Sequence, residues 1–368
     1  MKWTLFFTLF LISTNSFSEG IKPLKEKAGI DSSSMELYVA DYPMLRSCDS
    51  IYAEGFTSEE ELHPWSFVYE FNKDSIPAYL DTTYYLRLQN MDIKSPFSFQ
   101  YNDAVRSMIH FYSKRRPALI RKAQITKELY FPLFEEMLDK YQLPMELKYL
   151  AVVESALNPK AKSRVGAMGL WQFMPGTGRL YGLHVNSTID DRMNIYKATE
   201  AACQHFSDLY ARYHDWNLVL AAYNAGPGNV NKAIRRAKTS TDYWAIRPYL
   251  PRETQSYVPA FIAVNYLMQY SEAHNINYDK NPEMNYYALD TVYVNQKMSF
   301  KQIADWLEMD VKDIAKLNTQ YKKKYIPSST KKSYVLTLPN SKIGEFILNK
   351  ELIISGISRK EYENQASK

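Results

Sequence analysis

The sequence predicts a mainly α protein, with one large helical domain followed by a small C-terminal β-α-α-β module. Three observations predict it. From Tyr101 to Tyr270, apolar residues recur at three- and four-residue intervals, the period of helices with one buried face. After Asn275 that pattern gives way to two β-prone runs bracketing two short helical ones. With 368 residues, 46% hydrophobic and 23% charged, the chain can bury a large core plus a smaller one, which excludes chain-wide disorder.

The elements follow in order. Met1 to Ser18 has the pattern of a secretory signal: basic Lys2, an apolar run from Trp3 to Ile12, and Ser16-Phe17-Ser18 as a small-x-small cleavage site. The run is too short to span a bilayer, which takes about 20 residues. No cysteine follows it closely, the first being Cys48, so no lipoprotein anchor is expected. Residues 19–100 lack sustained periodicity and read as a segment wrapping the next domain. The helical domain covers 101–275, with Val105, Met108, Ile109 and Tyr112, then Leu133, Phe134, Met137, Leu138 and Tyr141, at helix spacing.

A helix is expected from Pro144, at its first position, to Leu157, closing before Asn158-Pro159. A Gly-rich loop, 166–182, comes next. Ala198 to Tyr213 and Leu218 to Tyr223 are helices, and a last long one runs from about Ser256 to Tyr270 with Pro259 in its first turn. Cys203 falls in an apolar helical stripe. In the module at 285–340, a strand lies within 286–294 and Ser299-Phe300-Lys301-Gln302 has the capping-box pattern that opens a helix to Leu307. Asp310 caps a second helix through Leu317, and Tyr334 to Leu338 is a strand stopped by Pro339. The charged tail, 341–368, is expected to be loosely ordered.

Composition narrows function. A net charge of +5 is too mild for a dedicated nucleic-acid binder. Two cysteines exclude a disulfide scaffold and a tetra-Cys metal site, and the six histidines show no H-x-x-x-H spacing. No metal or other cofactor is expected. The 30 tyrosines suit sugar surfaces and ordinary cores equally.

The informative residue is Glu154. Leu147, Leu150, Ala151 and Glu154 follow i, i+3, i+4, i+7, so the carboxyl shares a face with apolar side chains. Desolvation there raises its pKa and equips it as a general acid. A Glu that bends out to water or pairs with a cation is the plain alternative. Residues 155–189 contain no Asp or Glu, but they hold five of the 12 glycines, at 166, 169, 176, 178 and 182. Without Gly-Lys-Ser/Thr after a strand, this is no phosphate loop. A loop with one carboxyl beside it points away from two-carboxylate glycosidases, and a one-carboxyl enzyme takes its nucleophile from the substrate. Distant Asp190, Asp191 or Glu200 remain as possible second carboxylates.

Four segments carry a resemblance. They are Glu154-Ser155-Ala156-Leu157-Asn158-Pro159, the run from Gly166 through Gly169-Leu170-Trp171-Gln172 to Pro175, Ala221 through Tyr223-Asn224-Ala225-Gly226-Pro227 to Gly228, and Leu250 to Pro259. Together they resemble the soluble-lytic-transglycosylase family over about 101–270. That resemblance implies a lysozyme-like helical fold and cleavage of peptidoglycan between N-acetylmuramic acid and N-acetylglucosamine without water, leaving a 1,6-anhydro sugar. Glu154 would act as acid, then as base. Ser155 would sit beside the carboxyl and the sugar, and Gln172 would bind substrate polar groups. Tyr223 would hydrogen-bond Glu154 with Asn224 nearby, and Tyr257 would close the pocket. Core packing for the two tyrosines, and turn chemistry for Gln172 and Asn224, are the alternatives.

The module at 285–340 resembles a LysM domain, which binds N-acetylglucosamine-containing glycans. Gln296-Lys297-Met298-Ser299 replaces the usual Gly-Asp-Thr, and the second loop carries Lys322, Lys323, Lys324, Lys331 and Lys332. The resemblance implies an exported envelope enzyme whose partner is the peptidoglycan strand. A non-catalytic wall-binding protein and a hydrolytic muramidase on the same fold are the competing readings.

Overall fold

The structure, a computed structural model, describes residues 71–72, 75–238, 242–278 and 285–366. The signal segment, Cys48 and most of the expected wrapping segment lie outside the described residues. The mainly α expectation holds, and among the described residues the strands, all small, lie in the C-terminal module.

Helix α1 (Asp81–Asp92) buries Tyr84, Leu88 and Met91, spaced i, i+4, i+7. These three pack into the same core as the helices that follow. Helix α2 (Asp103–His110) starts at Asn102, whose side chain accepts the Val105 N–H, and runs into a π-turn over Phe111–Arg115. Helix α3 (Pro117–Lys140) opens on proline, where the missing N–H needs no partner. The helix expected from Pro144 to Leu157 divides. A 3-10 turn occupies Met145–Tyr149, and α4 (Leu150–Ser155) is only six residues long. It stops because Ala156 and Leu157 adopt φ of 49° and 59°, which no helix continues.

After α4 come α5 (Pro175–Leu180), α6 (Ile195–Tyr213, capped by Asn194), α7 (Trp216–Ala225, capped by Asp215), α8 (Pro227–Ala237) and α9 (Tyr243–Ile246). Cys203 in α6 is a buried free thiol, pushed up to about 12 by that burial. Helix α10 (Arg252–Gln269) is buried almost all round, from Ser256 to Met268, and is the central rod of the domain. It begins about four residues earlier than expected, so Pro259 lies inside it rather than in its first turn. The carbonyl that Pro259 cannot pair is Gln255 O. It accepts instead from Arg247 Nε at 2.6 Å and the Tyr243 hydroxyl at 3.1 Å, which is why the helix tolerates its proline.

The module contains β1 (Leu289–Val294), β2 (Met298–Ser299), α11 (Phe300–Leu307), α12 (Val311–Leu317), β3 (Tyr325–Ile326) and β4 (Tyr334–Pro339). Strands β1 and β4 pair antiparallel from Leu289 opposite Pro339 to Val294 opposite Tyr334, and β2 pairs with β3. The capping box at Ser299 and Gln302 is complete in both directions, and Asp310 accepts the Lys312 N–H. The tail corrects the expectation. It forms α13 (Asn340–Ser355) and α14 (Arg359–Ala366), and Phe346 and Ile353 are buried in the module's core. Gln302 and Trp306 of α11 donate to the Ile353 and Ile357 carbonyls, so two apolar anchors and two side-chain bonds order a segment whose charge pattern reads as solvated.

Candidate active site

Glu154 sits at the penultimate position of α4, one residue before the chain turns through two left-handed residues. Non-glycine residues in that region cost about 1 kcal/mol or more each and persist where the surroundings over-determine them. Glu154 lies just before that turn. The residue is half-buried, with Leu147, Leu150 and Ala151 of its face fully buried. Burial pushes the carboxyl up to about 8; the Tyr257 hydrogen bond opposes that shift and the charge of Glu253 adds to it. The Tyr257 hydroxyl donates a short hydrogen bond to Glu154 Oε1. Burial and the neighbouring Glu154 hold the Tyr257 and Tyr223 hydroxyls far above the usual range, so both remain donors.

The expected partners of Glu154 exchange places. Tyr257, taken as a pocket-closing ring, is the residue bonded to the carboxyl. Tyr223, taken as its orienting partner, donates instead to the Trp171 carbonyl at 2.8 Å, with its ring stacked on Phe206 at 4.9 Å. Helix geometry explains this. Tyr257 projects from the central rod against α4, whereas Tyr223 at the end of α7 meets the loop.

Ser155 faces inward rather than lying beside the carboxyl. It is fully buried and its hydroxyl bonds the Ala151 and Leu170 carbonyls at 2.9 and 3.0 Å. It turns inward because it follows Glu154 by one residue, about 100° around the helix. It ties the Gly-rich loop to α4.

The loop is built tightly. Trp171 is fully buried against Phe134 and Phe206, with its indole N–H on Thr199 at 3.0 Å. Gly169 has φ +87°, and a Cβ there would lie 1.9 Å from the Arg192 carbonyl oxygen, so only glycine fits. Gln172 has φ 46°, and its Nε2 donates to the Ala161 and Gly169 carbonyls at 3.0 and 2.8 Å, the turn chemistry named as its alternative. Asn224 accepts the Thr254 hydroxyl at 2.8 Å and reaches Glu253 Oε1 at 3.5 Å.

Asp190, Asp191 and Glu200 are engaged elsewhere, by Arg192, Lys197 and Lys140. The carboxyl that does reach Glu154 electrostatically is Glu253, which sequence reasoning missed. The signal was present: Glu253 and Tyr257 are four residues apart and share a face of α10. Among the described residues, no group of three His, Cys, Asp or Glu is placed to hold a metal ion, and no helix is long and apolar enough to cross a membrane.

Comparison with known proteins bears on both parts of the chain. Residues 132–246 match the family described as Transglycosylase SLT domain, and residues 288–354 match the one described as Lytic transglycosylase MltD, LysM-like domain. The second match includes α13. The membrane-bound lytic murein transglycosylase D of Escherichia coli K12 is 32% identical over 225 residues, 60% of this chain and 49% of that protein. The soluble lytic murein transglycosylase of the same strain is 31% identical over 152 residues, 38% of this chain and 23% of that one. The chain thus spans about half the length of lytic murein transglycosylase D. Among solved structures, the 70 kDa soluble lytic transglycosylase of Escherichia coli covers 66% of this chain and 43% of its own, at 20% identity and a TM-score of 0.37. That of Pseudomonas aeruginosa covers 70% and 46%, at 17% identity and a TM-score of 0.34. At those scores neither likeness bears on the site. By sequence, residues 132–246 are similar to the Transglycosylase SLT domain and residues 288–354 to the LysM-like domain of lytic transglycosylase MltD.

Proposed function

We propose that this protein is an exported peptidoglycan lytic transglycosylase. In this reading it cleaves the β-1,4 bond between N-acetylmuramic acid and N-acetylglucosamine and leaves 1,6-anhydromuramic acid ends. The observation that carries it is a carboxyl pushed up to about 8 and held by one tyrosine hydroxyl, within a domain that matches the SLT family.

At neutral pH such a group is mostly protonated. It gives its proton to the glycosidic oxygen as the bond to the anomeric carbon breaks. The Tyr257 hydroxyl then donates to the newly formed carboxylate and steadies the anion between the two steps. The carboxylate takes the proton of the 6-hydroxyl as that oxygen closes on the anomeric carbon. Water is not consumed, and Glu154 ends the cycle protonated. Gln172 and Asn224 would present polar groups to the glycan from either side, and Tyr223 would hold the Trp171 carbonyl so that the Gln172 turn keeps its shape. Ser155 acts by fixing the loop rather than by touching sugar. The signal pattern at 1–18 supports export of this activity to the periplasm or cell envelope.

One observation favours a second reading. Glu253 supplies a second carboxylate near Glu154, as a hydrolytic muramidase requires. Purified sacculi digested with the native protein and with Glu154→Gln separate the readings. Muropeptides lighter by one water from the native protein alone support the transglycosylase. Reducing muramic acid ends would establish the hydrolase, and equal release by both proteins, or by neither, would remove Glu154 from the chemistry.

A further inference from the structure

The LysM-like module does not hang from the catalytic domain on a linker alone. Segment 188–193, which follows the Gly-rich loop, lies against it through an isolated β-bridge and a 3-10 turn over Asp191–Met193. Ile189 is bridged to Tyr321 and buried in the module's own core. Lys322 N–H donates to the Thr188 carbonyl at 2.8 Å, Asp190 N–H to the Gln320 carbonyl at 3.0 Å, and the Thr319 hydroxyl to the Met193 carbonyl at 2.7 Å. Thr319, Gln320 and Tyr321 are all buried at this junction. On the same side, Lys324 lies near enough to Lys160, beside the α4 turn, to help burial lower the Lys160 pKa.

The opposite side of the segment clamps the loop. Arg192 is buried and forms a two-bonded fork with Asp190, Nε to Oδ1 at 2.9 Å and Nη2 to Oδ2 at 2.7 Å. Its Nη1 donates to the Gly166 and Phe173 carbonyls at 2.8 and 3.1 Å, the two ends of the stretch that carries Gln172. Its backbone carbonyl abuts Gly169. Asp190 therefore bonds the module through its backbone and Arg192 through its side chain, and Arg192 bonds the loop.

We propose that the LysM-like module is a buttress of the catalytic loop, acting through the Asp190–Arg192 pair, and that Arg192 is a positioning residue for the reaction. This rests on the transglycosylase reading. A packed contact has discrete arrangements, so undocking the module releases the clamp rather than bending it slightly. A module serving only to tether the enzyme to the wall would leave cleavage of small soluble glycans untouched.

The test uses the full chain with Ile189→Ser, Thr319→Val and Arg192→Lys. Ile189→Ser removes the apolar plug, Thr319→Val keeps the volume and removes one bond, and Arg192→Lys keeps the charge and loses the fork. The first readout is amide exchange, which needs no activity. Ile189→Ser should raise exchange of the Met168 and Gly169 amides about ten-fold while amides of α10 are unchanged. A rise confined to residues 318–322 would overturn the proposal. The second readout is cleavage of a short soluble peptidoglycan fragment. Ile189→Ser and Arg192→Lys should lower kcat roughly 10- to 100-fold with a smaller change in KM, and Thr319→Val should lower it less. Native rates on the fragment with loss only on sacculi would overturn it in favour of tethering. If the native protein and Glu154→Gln are equally inactive on both substrates, the transglycosylase reading fails, and the exchange result still decides whether the module braces the loop.

Discussion

The two halves of the molecule obey local rules to different degrees. In the module, each signal has its local consequence: Ser299 and Gln302 complete their capping box, Asp310 caps the next helix, and β4 ends at Pro339. Around Glu154, local preference is overruled. Ala156, Leu157 and Gln172 take left-handed backbone without being glycine, a six-residue helix ends abruptly, and a carboxyl sits in an apolar wall. Around Glu154 the unfavourable backbone is held by tertiary contacts, whereas in the module the left-handed Glu308 is an ordinary helix C-cap at the end of α11.

Substitutions can sharpen or break that contrast. The largest effect is expected at Glu154. Glu154→Gln should reduce muropeptide release by ~10³-fold. It should also change the pH dependence of stability. With a folded pKa of about 8 against the ordinary 4.5, the native state binds the extra proton, so Glu154 destabilises progressively as pH rises from about 4.5 to 8. The melting temperature of Glu154→Gln relative to the native protein should therefore climb across that window. A constant difference would mean the carboxyl is not buried as described. Gly169→Ala follows, because its methyl would overlap the Arg192 carbonyl in a backbone conformation that disfavours side chains. Chemical denaturation should show a loss of about 2–4 kcal/mol.

Tyr257→Phe should leave the rod intact and lower kcat roughly 100-fold. It removes the hydrogen bond that holds the Glu154 pKa down, so the pH at which activity falls should move upward from about 8. A downward move would show that Tyr257 is not the group bonded to Glu154. The smallest effect belongs to the module: Ser299→Ala should cost about 1 kcal/mol of stability, the usual worth of a helix cap, with the Glu154 pH profile unchanged. A cap substitution that altered that profile would erase the contrast between the halves.

What surrounds Glu154 follows in part from the residues next to it and in part from where distant elements meet. The apolar face around Glu154 was legible because the i, i+3, i+4, i+7 spacing survives even though a 3-10 turn carries Leu147 and α4 carries the rest. Tyr223 was expected to bond the carboxyl and Tyr257 to close the pocket, and only the packing of α10 against α4 gives the bond to Tyr257. The inward face of Ser155 was not legible, because adjacency in sequence is not adjacency on a helix. Glu253 escaped notice because it lies about 100 residues from Glu154 along the chain. The tail was misread because a charged stretch can still order around two apolar anchors, Phe346 and Ile353.

Sequence alone determined the helical class, the module's caps and strands, the glycine at 169 and the carboxyl at 154, since each depends on period, backbone freedom or side-chain chemistry within a few residues. Tertiary structure decided which tyrosine holds that carboxyl, which second carboxylate lies near it, and that the module leans on the loop through Ile189 and Arg192. Those outcomes depend on contacts between residues far apart in the chain, whose geometry exists only once the central helix and the two cores have packed.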